Sequence, residues 1–364
     1  MKLSDLEDRL VPLYLASVAP GGAALKLCSR PGRGKTSVLA LIAGMLNKHF
    51  PGKRYGSVVL NGACMTLTTA TGYLMPETRD GVQYSEFTRP SWWTTSEGLP
   101  LEAYDGGVIV IDEADKLGLD EKKITGEAAL SKVFGNHRLP PGWVVWFAGN
   151  YSTDRSGSTR ELDHLILRQI TIHVTDDVAS LLTWMERNHC LPETKLFAEE
   201  KPELVFQDMP EKQEPYGTPR TVAQADLYLR TVMRHLNTDK IPTDALTLEI
   251  VKGGIGGSAA AGLFATIRLG QELPPYADIV AKPTTSHLPA KPDVRRLACW
   301  KMAAQVSASD MEPVLTYVKR LPDEFQMMFG KSVALRAPML TLNKHYAAWA
   351  AGKSQLIELM MKLK

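Results

Sequence analysis

Residues 23–36 read Ala-Ala-Leu-Lys-Leu-Cys followed by Ser29-Arg30-Pro31-Gly32-Arg33-Gly34-Lys35-Thr36. The first six form a short apolar run that predicts a strand, and the stretch TSVLALIAGMLNKHF over 36–50 has helical spacing that stops at Pro51-Gly52. Strand, glycine loop and helix therefore follow one another. The loop matches the phosphate-binding pattern G-x-x-x-x-G-K-[ST] at every defined position except the first, where Ser29 stands. Gly32 and Gly34, with Pro31 and Arg33 between and before them, let backbone N–H groups turn inward around a phosphate. Lys35 offers a compact cation at a helix start, Thr36 a hydroxyl that can ligate magnesium, and Ser37 completes the loop's exit. Were the first position to need a left-handed backbone, Ser29 would cost roughly 1 kcal/mol relative to glycine.

The second deciding stretch is Val108-Ile109-Val110-Ile111-Asp112-Glu113, an apolar strand that ends in two acids. Beside a phosphate loop, Asp112 is placed to hold a Mg²⁺ ion opposite Thr36. Glu113 is then the general base for an attacking water, work worth about 10²- to 10⁴-fold in rate. Loop and acids together predict hydrolysis of ATP or GTP with Mg²⁺ as the metal. Further apolar runs at 57–61, 143–150 and 169–174 predict strands buried on both faces of a parallel sheet, with a crossover helix over 121–135. The fold class that follows is α/β, a P-loop NTPase core with a parallel five-stranded sheet.

Outward from that core, 3–18 reads as short helical pieces broken near Pro12, and the turn-rich stretch 62–106 reads as an insertion centred near 70–98. Residues 176–280 have mostly helical spacing and predict a helical lid domain after an α/β domain over 1–175. KPTTSHLPAKP at 282–292 reads as a linker into a helical C-terminal extension over 281–364.

Composition sets the outer limits. With 364 residues, 44% hydrophobic and 23% charged, the chain has enough apolar material for several cores. Net charge is +2, yet residues 1–60 carry nine Lys/Arg against three Asp/Glu and 291–364 carry twelve against six, leaving an acidic middle. The four cysteines are far apart, without a C-x-x-C pair, so a reducing, cytoplasmic setting is expected. Asp5, Glu7 and Asp8 spoil a secretory leader, and no apolar run is long enough to span a bilayer. The eight histidines form no H-E-x-x-H, which argues against a catalytic metal other than nucleotide-bound Mg²⁺.

From about residue 20 to 275 the motifs resemble the AAA+ ATPases, and within them the MoxR-like branch. Val144-Val145-Trp146-Phe147-Ala148-Gly149-Asn150 resembles the family's sensor-1 strand, which implies that Asn150 helps to place the lytic water. Leu162-Asp163-His164-Leu165-Ile166-Leu167-Arg168 resembles the segment that presents an arginine finger to a neighbouring subunit; Arg168 is the first choice, with Arg155 and Arg160 as competitors. Gly217-Thr218-Pro219-Arg220 resembles sensor 2, whose Arg220 would reach the nucleotide from the lid. The resemblance implies ATP as the nucleotide, a homo-oligomeric ring, hexameric in the family, and a chaperone-like action on a protein partner such as a von Willebrand factor A domain protein. It also implies that the insertion near 70–98 lines the ring's pore, where Trp92 and Trp93 would either meet a substrate or anchor the loop on its own core.

A nucleic-acid clamp or assembly platform is the alternative function, gripped by Lys291, Arg295, Arg296, Lys301, Lys319 and Arg320. Two look-alikes are set aside. Asp112-Glu113-Ala114-Asp115 spells a helicase motif without the downstream Ser-Ala-Thr, and Gly254-Ile255-Gly256-Gly257-Ser258-Ala259 mimics a dinucleotide fingerprint but follows a helical stretch and reads as a tight turn.

Overall fold

The apolar runs of the first half become strands because β-branched and aromatic residues alternate there with glycine-containing loops, and the helices between them return the chain so that neighbours run parallel. The computed structural model describes residues 1–151, 163–354 and 358. Among these the strands are β1 (Ala24–Cys28), β2 (Tyr55–Asn61), β3 (Leu74–Arg79), β4 (Val82–Phe87), β5 (Gly106–Asp112), β6 (Val133–Phe134), β7 (His137–Arg138), β8 (Trp143–Gly149) and β9 (Gln169–His173). Five of them form one sheet in the order β2-β5-β8-β1-β9, with every neighbouring pair parallel. The C-terminal ends of β1, β5 and β8 therefore open at one edge, and whatever follows β8 emerges between the loop after β1 and the acids after β5.

The three inner strands are buried almost throughout, as their unbroken apolar sequences require. β9 departs from that expectation. It is an edge strand with exposed Ile170 and His173, so its apolar run is covered on one side only. Trp143 and Trp146 fill the core and still place their indole N–H groups, the first donating to the Leu101 carbonyl at 3.0 Å and the second to the Ser17 hydroxyl at 3.1 Å. Tyr14 donates to the Gly142 carbonyl at 2.6 Å, and burial pushes its hydroxyl pKa well up.

Several boundaries differ from the sequence reading. The N-terminal helices are Leu3–Glu7 and Leu10–Val18, so the break falls before Pro12, which sits in the first turn of the second helix where a missing N–H costs nothing. The helix after the glycine loop is two pieces, Lys35–Ala40 and Ile42–His49. The crossover helix is Leu119–Ser131 and ends at Lys132, in the left-handed conformation at φ 59°. Its end leads into the small β6–β7 hairpin.

The insertion holds the antiparallel β3–β4 hairpin, whose residues are almost all exposed. Trp92 and Trp93 are not at its surface. They are 7% and 4% exposed, with Trp92 donating to the Ala70 carbonyl at 3.1 Å and Trp93 to Glu102 at 3.0 Å, so they anchor the loop to its own core.

The chain divides into two compact units, Met1–Asp176 and Asp177–Lys364. In the second, Asp177 caps the helix Val178–Arg187 by accepting from the Ala179 N–H. Helices up to Leu269 share a core of Met185, Phe197, Leu229 and Leu263, and later helices share another around Met302, Tyr317, Phe329 and Tyr346. Residues 281–364, read from the sequence as an extension, fall in the same unit as 177–280. A buried carboxylate ties the two halves together: Glu186 takes the ammonium of Lys195, the Ser332 hydroxyl at 2.5 Å and the Arg336 guanidinium at 3.1 Å. The glycine-rich 254–259 stretch is a turn at Gly256, φ 83°, between the helices Ala245–Ile255 and Gly257–Leu269. No helix among the described residues is long and apolar enough to cross a membrane.

Candidate active site

β1 ends at Cys28 and the chain turns through Ser29–Gly34 before the helix that starts at Lys35. Gly32 and Gly34 adopt φ 73° and 85°, the left-handed region that glycine enters without penalty. Ser29 does not. It is absent from the positive-φ residues, so a serine costs no backbone strain there, and its hydroxyl accepts from Lys35 Nζ at 3.0 Å. Lys35 also donates to the carbonyls of Ser29 (3.1 Å) and Arg30 (3.2 Å) and to Asn150 Oδ1 at 3.0 Å.

Thr36, one residue along, donates its hydroxyl to Asp112 Oδ2 at 2.7 Å. Glycine loop, acidic strand end and Asn150 therefore meet at one edge, as the strand order requires. Asp112 Oδ1 accepts the Glu113 N–H at 2.9 Å, which fixes the carboxylate's plane. Glu113 itself lies at φ 52°, a left-handed conformation that costs a non-glycine residue about 1 kcal/mol or more. That turn lifts Glu113 off the strand, and its carboxylate, 34% exposed, pairs with Lys116 at 3.0 Å. Gly62, just past β2, makes room: a Cβ there would stand 2.8 Å from the Glu113 carbonyl and 2.9 Å from that of Asp112.

The remaining expected residues are placed differently. Pro31 is half-buried in the loop and Ser37 is exposed on the first helical turn. The Arg33 side chain, 3% exposed, is held by Asp176 at 2.9 Å, which leaves only its backbone for the phosphate-binding role expected of it. Arg168 precedes β9 at the sheet's other edge: its carbonyl accepts the Ala24 N–H at the start of β1, a strand's length, roughly 13 Å, from the glycine loop. Its guanidinium, 32% exposed, lies 3.8 Å from Glu127. Arg220 is exposed in the second unit, on the helix Pro219–His235 that Thr218 and Thr221 cap reciprocally. Arg155 and Arg160 lie outside the described residues.

The donor set suits magnesium and a triphosphate. A hydroxyl and a carboxylate in mutual contact supply hard oxygen ligands from two elements, and no cluster of three His, Cys, Asp or Glu that would cage a metal occurs among the described residues. Mg²⁺ is characteristically held by one or two such oxygens plus substrate phosphates and water. Asp115 is a site residue that no motif predicts. It is 7% exposed and accepts the Asn150 N–H at 2.9 Å, and its signal was the fourth letter of the look-alike Asp112–Asp115.

Of the cations proposed for a nucleic-acid clamp, Arg296 pairs with Glu199 and Glu200, and Lys301 with Glu193 at 2.8 Å. Arg320 donates to the carbonyls of Pro283 and Ser286, and Arg295 to that of Pro289. These four are occupied inside the unit.

No family model matches the chain, and no curated protein matches it. Among solved structures it is similar to a mutant of RuvB from Thermotoga maritima at 13% identity and a TM-score of 0.40, covering 78% of this chain and 77% of that one. A putative ATPase from Cytophaga hutchinsonii gives 12% identity and a TM-score of 0.32 over 73% of this chain and 88% of that one. NtrX from Brucella abortus gives 16% and 0.31 over 98% and 68%. What the site can do follows from this chain's own residues: β8 lies between the loop strand β1 and the acidic strand β5, so that Asn150 emerges between the glycine loop and the acids.

Proposed function

We propose that this protein is a Mg²⁺-dependent ATPase of the AAA+ type, and that it works as a homo-oligomeric ring, a hexamer by its MoxR-like resemblance, which remodels or activates a protein partner. The observation that carries the ATPase reading is the 2.7 Å bond between Thr36 and Asp112 beside the 3.0 Å bond between Lys35 and Asn150. Loop, metal ligands and sensor thereby share one edge.

In this reading the backbone of residues 31–36 cradles the phosphates, and Lys35 exchanges one of its present acceptors for a phosphate oxygen. Thr36 and Asp112 would hold the Mg²⁺, which would supply positive charge to offset that of the phosphates. Glu113 leaves Lys116 to accept a proton from the attacking water, and Asn150 orients that water from the end of β8. Arg168, beside the start of β1, lies a strand's length from the glycine loop, which supports a role toward a neighbouring subunit's site; a nucleotide contact for Arg220 rests on its resemblance to sensor 2 alone. The exposed β3–β4 hairpin, with Tyr73, Leu74, Met75, Val82 and Tyr84 at its surface, is the segment we assign to contact with the protein partner, for which a von Willebrand factor A domain protein is the first candidate.

The internal pairing of Arg295, Arg296, Lys301 and Arg320 leaves the nucleic-acid clamp less support than a protein remodeller. Phosphate release from ATP tests the proposal. Glu113→Gln is expected to lower turnover by about 10²- to 10⁴-fold while nucleotide still binds, and a rate equal to the unaltered protein's rejects it.

A further inference from the structure

β8 stops at Gly149, so the N–H of Asn150 lies beyond the regular part of the sheet and takes a side-chain acceptor, Asp115 Oδ1 at 2.9 Å, from 35 residues upstream. The Asn150 side chain then gives its oxygen to Lys35 at 3.0 Å. One path of bonds thus runs from a buried carboxylate through Asn150 to the loop's ammonium.

Asp115 comes from the short turn Ala114–Lys116 that the left-handed Glu113 initiates, so the turn that presents the base also presents this carboxylate. A bond from a backbone N–H to an ionised carboxylate is about twice as strong as one between neutral groups. Gly149 preserves the approach. A Cβ on it would lie 3.1 Å from Asp115 Oδ1 and 3.5 Å from the Asp115 nitrogen.

We infer that Asp115 is a positioning residue: by fixing the backbone of Asn150 it sets where the Asn150 amide stands relative to Lys35, and it makes that position depend on the turn that carries Glu113. The inference rests on the ATPase reading, and Asp115 acts through Asn150 without touching substrate.

Phosphate release and the affinity for a fluorescent N-methylanthraniloyl ATP, measured on the full chain, test it. Asp115→Ala is expected to lower kcat about 10- to 100-fold, the cost of a misplaced catalytic group, with nucleotide affinity within about threefold of the unaltered protein. Asp115→Asn, whose amide oxygen can still accept from Asn150, restores most of the rate. An unchanged kcat in Asp115→Ala, or a loss confined to affinity, overturns the inference while leaving the ATPase reading intact. Should Asp115→Ala unfold, Gly149→Ala decides: a kcat loss of about tenfold at unchanged affinity supports the role, and an unchanged kcat overturns it. Turnover in the unaltered protein no higher than in Glu113→Gln removes the ATPase reading and this inference with it.

Discussion

The Thr36 hydroxyl donates to Asp112 Oδ2 at 2.7 Å, joining the first turn of one helix to the end of a strand 76 residues later. In the ATPase reading, these two oxygens from separate elements are the protein's ligands to one hard cation. Replacing Thr36 by valine keeps the volume and removes the ligand. We expect the Mg²⁺ concentration for half-maximal turnover to rise about 10- to 100-fold, read from a magnesium titration of phosphate release.

Gly62 abuts the carbonyls of Glu113 and Asp112 at the closest distances a Cβ there would find, 2.8 and 2.9 Å. Both neighbours are backbone and can yield only by moving the turn. Gly62→Ala should therefore cost about 1–3 kcal/mol in chemical unfolding and lower kcat about tenfold or more. An alanine variant with unaltered kcat would mean that the turn can shift without consequence.

Arg168 and the glycine loop sit at opposite ends of β1. If the arginine serves a neighbour, Arg168→Ala and Glu113→Gln proteins are each nearly inactive alone and regain part of the turnover when mixed, because some shared sites then hold both intact residues. An arginine finger is worth about 10³- to 10⁵-fold, so even a small fraction of mixed sites is measurable. Mixtures as inactive as their components would place Arg168 outside catalysis.

Lys195 is buried against Glu186 and over the ring of Trp300, 3.9 Å from its centroid, and burial lowers its pKa to about 8 despite Glu186, with Arg336 pushing in the same direction as burial. Between pH 8 and the ordinary lysine value near 10.4 the unfolded chain binds more protons at this group than the folded one. Its contribution to unfolding free energy therefore rises with pH across that window, by up to about 3 kcal/mol. Cys190 and Cys299, pushed up to about 12 by burial, act oppositely above their ordinary range. The difference between the unaltered protein and Lys195→Met isolates the lysine: relative stability should climb from pH 8 to 10, and a flat difference would refute it.

Glu186 is the carboxylate that two buried cations, Lys195 and Arg336, share. Glu186→Ala strands both and should cost about 3–5 kcal/mol in unfolding of the second unit, whereas replacing exposed Leu74 or Val82 of the hairpin by serine should shift stability by no more than about 0.5 kcal/mol.

The local part of this protein was legible in its residues. SRPGRGKT between an apolar run and a helical stretch has few physical solutions, since Gly32 and Gly34 must enter the left-handed region and Lys35 must follow them into a helix. Val108–Asp112 could only be a buried strand ending in an acid. Chain order and apolar pattern, with a crossover helix after β5, then implied the parallel sheet. Other features depend on distant neighbours. The exposure of β9, the burial of Trp92 and Trp93, and the harmlessness of Ser29 follow from which elements pack beside them, not from their own spacing. Asp115 meets Asn150 only because β8 lies next to β5, and Glu186 meets Arg336 across 150 residues of chain. Propensity and periodicity are set by a dozen adjacent residues, whereas a hydrogen bond between such partners exists only after the core has brought their elements together.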